Sequence, residues 1–305
     1  MIEAAARARL EALLGERVRF DAPLGRLTSL LVGGPADALA TPASIEETQA
    51  LVALCGELRV PLHVLGGGFN TLVRDAGVEG VVLSTKSLRR LEIEAGARLY
   101  AEAGVSHSQL TNLCIERGLA GLEFGAGIPG TIGGWVAMNA GIPGREAGER
   151  VVELVVATPR GGIQTLGSAG LRFVYRGVHG LAAGSVVIAA RFQLERSTRD
   201  AVRAEVERHL AHRRATQPID QPSCGSVFKN PPGERAGQLI ELAGLKGTRA
   251  GGAEISSVHA NFIVNVGGAS AADVLALIER AEHAVAAARG IALEPEVRVV
   301  GRSAS

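Results

Sequence analysis

The chain has 305 residues, 47% of them apolar, and a formal charge of +1. That length suits two or three domains with sizeable cores, and the near-neutral charge excludes the broad basic field that binding to nucleic acid or an acidic membrane draws on. Three scattered cysteines (Cys55, Cys114 and Cys224) form no C-x-x-C pair, which argues against a disulfide framework or a zinc site and predicts no metal and a reducing, cytoplasmic setting.

MIEAAARARLEALLGE opens the chain as a charged amphipathic helix without the apolar region of a signal peptide. No run nears the roughly 18 apolar residues of a membrane span. Ser44 to Glu47 reads as a capping box that starts a helix ending near Arg59, ahead of Pro61. LHVL (62–65) and GVVLS (80–84) read as strands. LRRLEIEAGARLYAEAG alternates around Ala95-Gly96, a hairpin signal. Ser106 with Gln109 caps a second helix, which Gly118 ends. ERVVELVVATPRGGIQTL gives a second hairpin around Pro159–Gly162, and SVVIAARFQL (185–194) a long strand. ERSTRD then breaks the pattern and predicts a boundary near 195–200, before a polar helix over about 199–214. Beyond it lie a helix near 234–243, the strand NFIVNV (261–266), a helix from Ser270 to Arg289 stopped by Gly290, and a closing strand VRVVG (297–301). The pattern is α+β in two lobes, with no fixed-period repeat.

Glycine is the outlier, at 40 residues, and it clusters at 66–68, 125–134, 141–148 and 251–252 between apolar runs. Clustered glycine inside folded sequence marks tight turns or a close approach of backbone to a ligand. LGGGFN (65–70) lacks the G-x-G-x-x-G spacing followed by a helix, and it lacks the Gly-Lys-Ser/Thr of a P-loop. An anion nest or a plain strand-ending turn remains. FGAGIPGTIGGWVAMNAG (124–141) places Pro129 as a first helical residue, with a short helix from Gly130 to Asn139 whose N-terminal amides face a ligand. Two such sites suit a pyrophosphate; close helix–sheet packing is the competing reading.

Three further stretches carry candidate chemistry. Arg176 in RFVYRGV could fork onto a carboxylate, although an Arg after such a run is more often plain surface. In PSCGSVFKNPPGE, Gly225-Ser226 presents a hydroxyl, and Lys229 and Asn230 could converge on a polar ligand. Only three lysines occur, against 29 arginines, so a retained lysine hints at a need for a compact ammonium. A Pro/Gly surface loop is the bland alternative. Cys224 reads as a packing residue, since no His or Asp is spaced to activate it. In ALEPEVRVV, Glu294 and Glu296 stand two apart and would share one side of a strand, with solvation as the default. AHRRATQP is a basic helix end, and His259 has no partner at metal-ligand spacing.

GGGFNTLVRD, EFGAGIPGTIGGWVAMNAG, FVYR, CGSVFKNP, HANFIVN and LEPEVRVVG together resemble, in order and spacing, the UDP-N-acetylenolpyruvoylglucosamine reductases, the MurB family of flavoenzymes. The resemblance runs from Leu27 to Gly301. It implies an FAD-binding domain of the vanillyl-alcohol-oxidase (PCMH) type in two subdomains, over residues 1–65 and 66–195, followed by a substrate domain over 196–305. The short passage after FVYR resembles the second subtype, which lacks a tyrosine-bearing substrate loop. Arg176, Ser226 and Glu296 are then expected to be catalytic, with Ser226 the proton donor. FAD contacts are expected at Gly66, Gly67, Gly68, Phe69, Asn70, Gly127, Ile128, Pro129, Gly130, Thr131, Gly133, Gly134, Asn139 and Ile188, and substrate contacts at Tyr175, Arg214, Lys229, Asn230 and Asn261. FAD and NADPH are the implied cofactors, in a cytoplasmic monomer acting on small molecules of peptidoglycan precursor synthesis. The chain departs from the family pattern at Gly177, where many relatives carry serine, and at Ile142-Pro143. A related flavin-dependent sugar or alcohol oxidase would share the first lobe without the GSVFKNP and LEPEV pair. A flavin-binding module without catalysis is the third reading.

Overall fold

The computed structural model describes residues 2–303. They form two compact units. The first takes in the chain up to Phe20, then Ala38–Gly67 and Gly80–His212; the second takes Asp21–Asp37, Gly68–Glu79 and the chain from Arg213 onward.

In the first unit, helices α1 (Ala4–Leu14) and α2 (Ile45–Leu58) bury Leu10, Leu14, Leu51 and Val52 in one core with Val81, Leu83 and Ile188. The four-stranded sheet runs in the order Val18–Pro23, Pro35–Ala40, Val78–Ser84, Leu62–Leu65, and the last two strands are parallel. A five-stranded antiparallel sheet follows, in the order Ile163–Gly167, Val151–Ala157, Val186–Gln193, Arg98–Glu102, Leu91–Glu94. Its central strand Val186–Gln193 is buried along five consecutive residues. That explains why SVVIAARFQL reads as a continuous apolar run, whereas the edge strand Ile163–Gly167 is mostly exposed. Helices α3 (His107–Arg117) and α4 (Ile132–Ala137) close a second core around Trp135, which tilts against Phe124 at 5.7 Å and Phe192 at 5.8 Å.

The expected caps form, with one correction. Ser44 Oγ accepts the Glu47 N–H, but the Glu47 carboxylate takes the N–H of Ala43, one residue before the cap, so the reciprocal half of the box is displaced. Both halves are present in Ser106/Gln109 of α3. Helix α5 (Arg199–Thr216) carries Arg213 and Arg214 in its last turn.

The second unit holds a four-stranded antiparallel sheet, in the order Ser223–Ser226, Phe262–Asn265, Ala253–Ile255, Arg249–Ala250. Helices α6 (Ala236–Leu242) and α7 (Ala271–Arg289) bury Leu239, Ile240, Val274, Leu277 and Ile278 in its core with Phe228 and Ile263. The box of Ser270 and Asp273 caps α7, and the Asp75 carboxylate accepts the N–H groups of Ala271 and Ala272 as well. Four of the first helical amides thereby gain acceptors or a favourable charge. Arg298–Val300 pairs in parallel with Thr71–Val73. Among the described residues no helix is long and apolar enough to cross a membrane.

Candidate active site

Within the first unit the two glycine-rich stretches meet at Thr131. A Cβ on Gly66 would lie 2.5 Å from Thr131 Oγ1, and one on Gly134 would lie 3.9 Å from the same atom. Thr131 Oγ1 is buried and has no hydrogen-bond partner among the described residues. A buried hydroxyl left unpaired costs free energy, and an acceptor-rich ligand would recover it. Gly134 is exposed and nothing nearer blocks it, so backbone can approach a ligand there. Gly127 and Gly130 both have positive φ, at 74° and 113°, and Ile128 and Pro129 between them are at least partly exposed.

The helix that follows differs from expectation. It starts at Ile132, with Thr131 as the cap residue, so Pro129 is not its first residue. Its first two amides are already used: Ile132 N–H donates to Val105 and Gly133 N–H to Ala103. Gly133 is also needed for packing, since a Cβ there would lie 2.7 Å from Ala103 Cβ. Close helix–sheet packing therefore accounts for Gly133, and the N-terminus of α4 offers no free pair of donors. Ile188 is fully buried, with its carbonyl taken by the Ala103 N–H, so its side chain serves the core and not a ligand.

Arg176 sits in a two-residue turn. Strands Arg172–Val174 and Gly177–His179 pair with Val174 opposite Gly177, leaving Tyr175 and Arg176 at the tip. Arg176 has φ of 61°, a conformation that favours glycine or asparagine, and its guanidinium lies 4.6 Å from the centre of the exposed Tyr175 ring. An arginine held at positive φ is a strained residue, and strain of this kind points towards function. Asn139 stands behind the hairpin. Its Nδ2 donates to the Val174 carbonyl at 3.0 Å and to Glu146 Oε2 at 2.6 Å, and its Oδ1 accepts the Gly148 N–H at 2.8 Å. The side chain is buried and spent on the protein, which corrects the expectation that it contacts the cofactor.

Gly68, Phe69, Asn70, Ser226 and Glu296 come together in the second unit. Gly68, at φ of 69°, presses on Leu27 and Thr28, where a Cβ would lie 2.3 Å from the Leu27 carbonyl oxygen. Its own carbonyl accepts both Ser29 N–H and Ser29 Oγ–H. Asn70 Nδ2 donates to the Glu296 carbonyl at 3.1 Å, and its carbonyl accepts the Arg298 N–H. Glu296 N–H and Val297 N–H both donate to the carbonyl of Val227, the residue after Ser226. The strand Ser223–Ser226 carries a bulge between its pairings at Ser223 and Ser226. At the bulge Gly225 takes φ of 77°, with Phe69 O the nearest atom to its would-be Cβ, at 3.8 Å. Bulges re-aim a side chain, and here the residue re-aimed is Ser226. Burial pushes the Cys224 thiol up to about 12, and the charge of Glu296 adds to the push. Burial likewise pushes Cys55 and Cys114 up to about 12. None of the three is a thiolate near neutral pH, so none is a nucleophile.

Of the expected substrate contacts, Tyr175 and Arg214 are exposed. Lys229 is paired with Glu294. Asn230 Oδ1 accepts the N–H of Ala236, the first residue of α6. Asn261 is buried and holds Phe228 from both sides: its Oδ1 accepts the Phe228 N–H and its Nδ2 donates to the Phe228 carbonyl. Its expected substrate contact is corrected to a support for the strand beside Ser226. Sequence reasoning missed Glu146 and Gly148, which complete the Asn139 network; the only signal was an asparagine between Met138 and Ala140-Gly141, a residue type suited to the positive φ of 42° it adopts. A cavity of about 400 Å³ lined by Cys55, Arg59, Pro61, Pro159 and Ser185 touches none of these residues.

Known proteins share this layout. The sequence profile described as "UDP-N-acetylenolpyruvoylglucosamine reductase, C-terminal domain" matches residues 217–300, and that described as "FAD binding domain" matches 36–167. The UDP-N-acetylenolpyruvoylglucosamine reductase of Geobacter metallireducens is 47% identical over 294 residues, covering 96% of this chain and 97% of its own. That of Rubrobacter xylanophilus is 46% identical over 285 residues, covering 93% and 95%. The crystal structure of the reductase from Thermus caldophilus superposes with a TM-score of 0.80 at 34% identity, over 93% of this chain and 98% of that one. Identity at this level over nearly the whole length shows that the chain belongs to the UDP-N-acetylenolpyruvoylglucosamine reductase family, FAD-dependent enzymes of peptidoglycan precursor synthesis with an FAD-binding domain and an α+β C-terminal domain.

Proposed function

We propose that Arg176, Ser226 and Glu296 carry the reduction of UDP-N-acetylglucosamine enolpyruvate to UDP-N-acetylmuramate, with FAD held by Gly66–Asn70 and Gly127–Gly134. The unpaired Thr131 hydroxyl between two side-chain-free positions supports that cofactor site. FAD held there would supply two-electron hydride chemistry, passing reducing equivalents from NADPH to the terminal enol carbon of the substrate. The electron pair displaced by that addition develops on the neighbouring carbon and its carboxylate. Arg176 meets the carboxylate with a planar fork of donors, and one such preorganised interaction is worth about 3–4 kcal/mol in the transition state. Glu296 either shares a proton or strong hydrogen bond with the developing enolate or holds a neighbouring donor, and Ser226 delivers the proton that the carbanionic carbon requires. A serine hydroxyl is a weak acid, so it must be held close and still.

The observation that carries this reading is that the N–H groups of Glu296 and Val297 both donate to the carbonyl of Val227, the residue that follows Ser226 at the end of a bulged strand, so Glu296 is tied beside Ser226. We further infer a cytoplasmic monomer of the subtype without the tyrosine-bearing loop, with FAD subdomains over 1–65 and 66–195 and a substrate domain over 196–305. The short passage from Arg176 to α5 supports the subtype, and the buried, free cysteines suit a reducing compartment. Stopped-flow absorbance on Ser226→Ala tests the proton donor. The variant keeps NADPH-driven bleaching of FAD but loses about 10²–10⁴-fold in reoxidation by substrate, the usual share of a general acid. Near wild-type reoxidation would remove Ser226 from the role.

A further inference from the structure

The hairpin that presents Arg176 has only three residue pairs, Arg172 to His179, Phe173 to Val178 and Val174 to Gly177. A lone two-stranded hairpin is marginal in water, so the conformation of its tip must be imposed from outside. Two contacts do so. The Phe173 ring covers Gly148 so closely that a Cβ there would lie 2.3 Å from it. The Val174 carbonyl, one residue before the Tyr175-Arg176 tip, accepts a hydrogen bond from Asn139 Nδ2.

Asn139 is itself fixed. It is 1% exposed and adopts φ of 42°, and Glu146 Oε2 and the Gly148 N–H take up its remaining amide capacity. Glu146 is tied in turn by the N–H of Glu149 and by the Glu149 carboxylate on its own N–H, and Glu149 is paired with Arg145. The chain of contacts thus runs from Arg145 through Glu149, Glu146 and Asn139 to the carbonyl that precedes the strained turn. A structural asparagine would only need to satisfy its loop. This one spends its second donor on the strand that aims the arginine.

We propose that Asn139, held by Glu146, is a positioning residue that fixes the Arg176 turn for the charge-developing step. The inference rests on the assignment of Arg176 given above. It also gives Asn139 a role towards the substrate end of the reaction in place of a cofactor contact.

Asn139→Asp is the direct test, since aspartate tolerates positive φ and keeps the acceptor for Gly148. It loses both donors and sets a second carboxylate against Glu146. Asn139→Asp combined with Glu146→Gln removes that repulsion, because the new amide can donate to the new carboxylate. It still leaves the Val174 carbonyl without its donor. The expected result has three parts. The single variant lowers Tm and slows substrate reoxidation of reduced FAD by about 10–100-fold, the scale of a misplacement of about 1 Å. The double variant recovers most of the Tm, yet reoxidation stays slow. Hydrogen exchange at the amides of 173–178 and tryptic cleavage after Arg176, measured without substrate, are at least about fivefold faster than wild type in both variants.

Recovery of reoxidation together with Tm in the double variant would reduce Asn139 to a structural role and overturn the proposal. Unchanged exchange over 173–178 would do the same. Arg176→Ala is run alongside to separate two failures. If it slows reoxidation and Asn139→Asp does not, positioning by Asn139 is wrong while Arg176 stands. If Arg176→Ala reoxidises normally, the assignment of Arg176 fails and the proposal falls with it.

Discussion

Ser226 and Arg176 are presented by regions of opposite construction. Beside Ser226, Val227 and Phe228 are gripped on one side by Asn261 and on the other by the N–H groups of Glu296 and Val297. Asn70 then holds the Glu296 carbonyl. Arg176 sits at positive φ on a two-stranded hairpin that Val174 ties to Asn139 and that Phe173 and Val178 pack on the core around Trp135. One region is stiff because its main chain is held by several partners, whereas the other keeps a strained turn on a hairpin of three residue pairs. The difference suits the two tasks: a weak acid must wait at a fixed distance, while a long cationic side chain can swing onto its target. Local stability follows the same division, since a hairpin of three residue pairs opens at lower cost than a strand inside a four-stranded sheet.

Breaking the stiff region should have the largest effect. Asn261→Ala leaves the Phe228 N–H and carbonyl buried without partners, at about 1–3 kcal/mol each, so a loss of about 2–6 kcal/mol is expected. Urea unfolding at a fixed FAD concentration reads it, and a loss below about 1 kcal/mol would show that the strand does not depend on this grip. The strained region should respond with opposite signs. Arg176→Gly relieves a positive φ that costs a non-glycine residue about 1 kcal/mol, so stability rises by up to about that amount while turnover collapses. A thermal melt paired with a turnover assay checks it; a lower melting temperature would mean that the turn carries no strain.

The smallest effect sharpens the comparison through pH. Burial, with a contribution from Lys246, holds the His259 imidazole below its ordinary value, and His259 Nδ1 accepts the Asn261 N–H at 3.2 Å. The folded state therefore binds fewer protons there than the unfolded chain. The stability that results is present above the ordinary imidazole value near ~6.5 and is lost as pH falls through it towards the folded value. From about pH 7.5 down to about pH 5.5, the protection of the 226–228 amides, corrected for the intrinsic pH dependence of exchange, should fall more than that of 173–178. His259→Gln should flatten that pH response, and an equal response in both segments would argue against it.

Much of this was legible in the residues themselves. Gly225-Ser226 reads as a turn but lies in a bulged strand, whereas alternation placed both hairpins of the five-stranded sheet, and Ser106/Gln109 and Ser270/Asp273 marked helix starts. These are local signals, settled within a few residues of chain. What escaped depends on distant partners. That Ala103 and Val105 consume the first amides of α4 cannot be read from IPGTIGG, nor can the burial of Gly133 against Ala103. Asn139 and Asn261 look alike to a search for ligand contacts, because a polar side chain near glycines suits a ligand and a neighbouring carbonyl equally well. Only the fold shows both spent on the main chain.

The core of the second unit mixes residues from very different times in synthesis. Leu30, Val32 and Leu72 are covered by Phe228, Ile263 and α7, and Thr71–Val73 has no parallel neighbour until Arg298–Val300 emerges. At ribosomal rates of about 5–20 residues per second, those early apolar side chains wait on the order of 10–40 seconds for their cover. The core of this half of the molecule is therefore completed only after translation has passed its last strand.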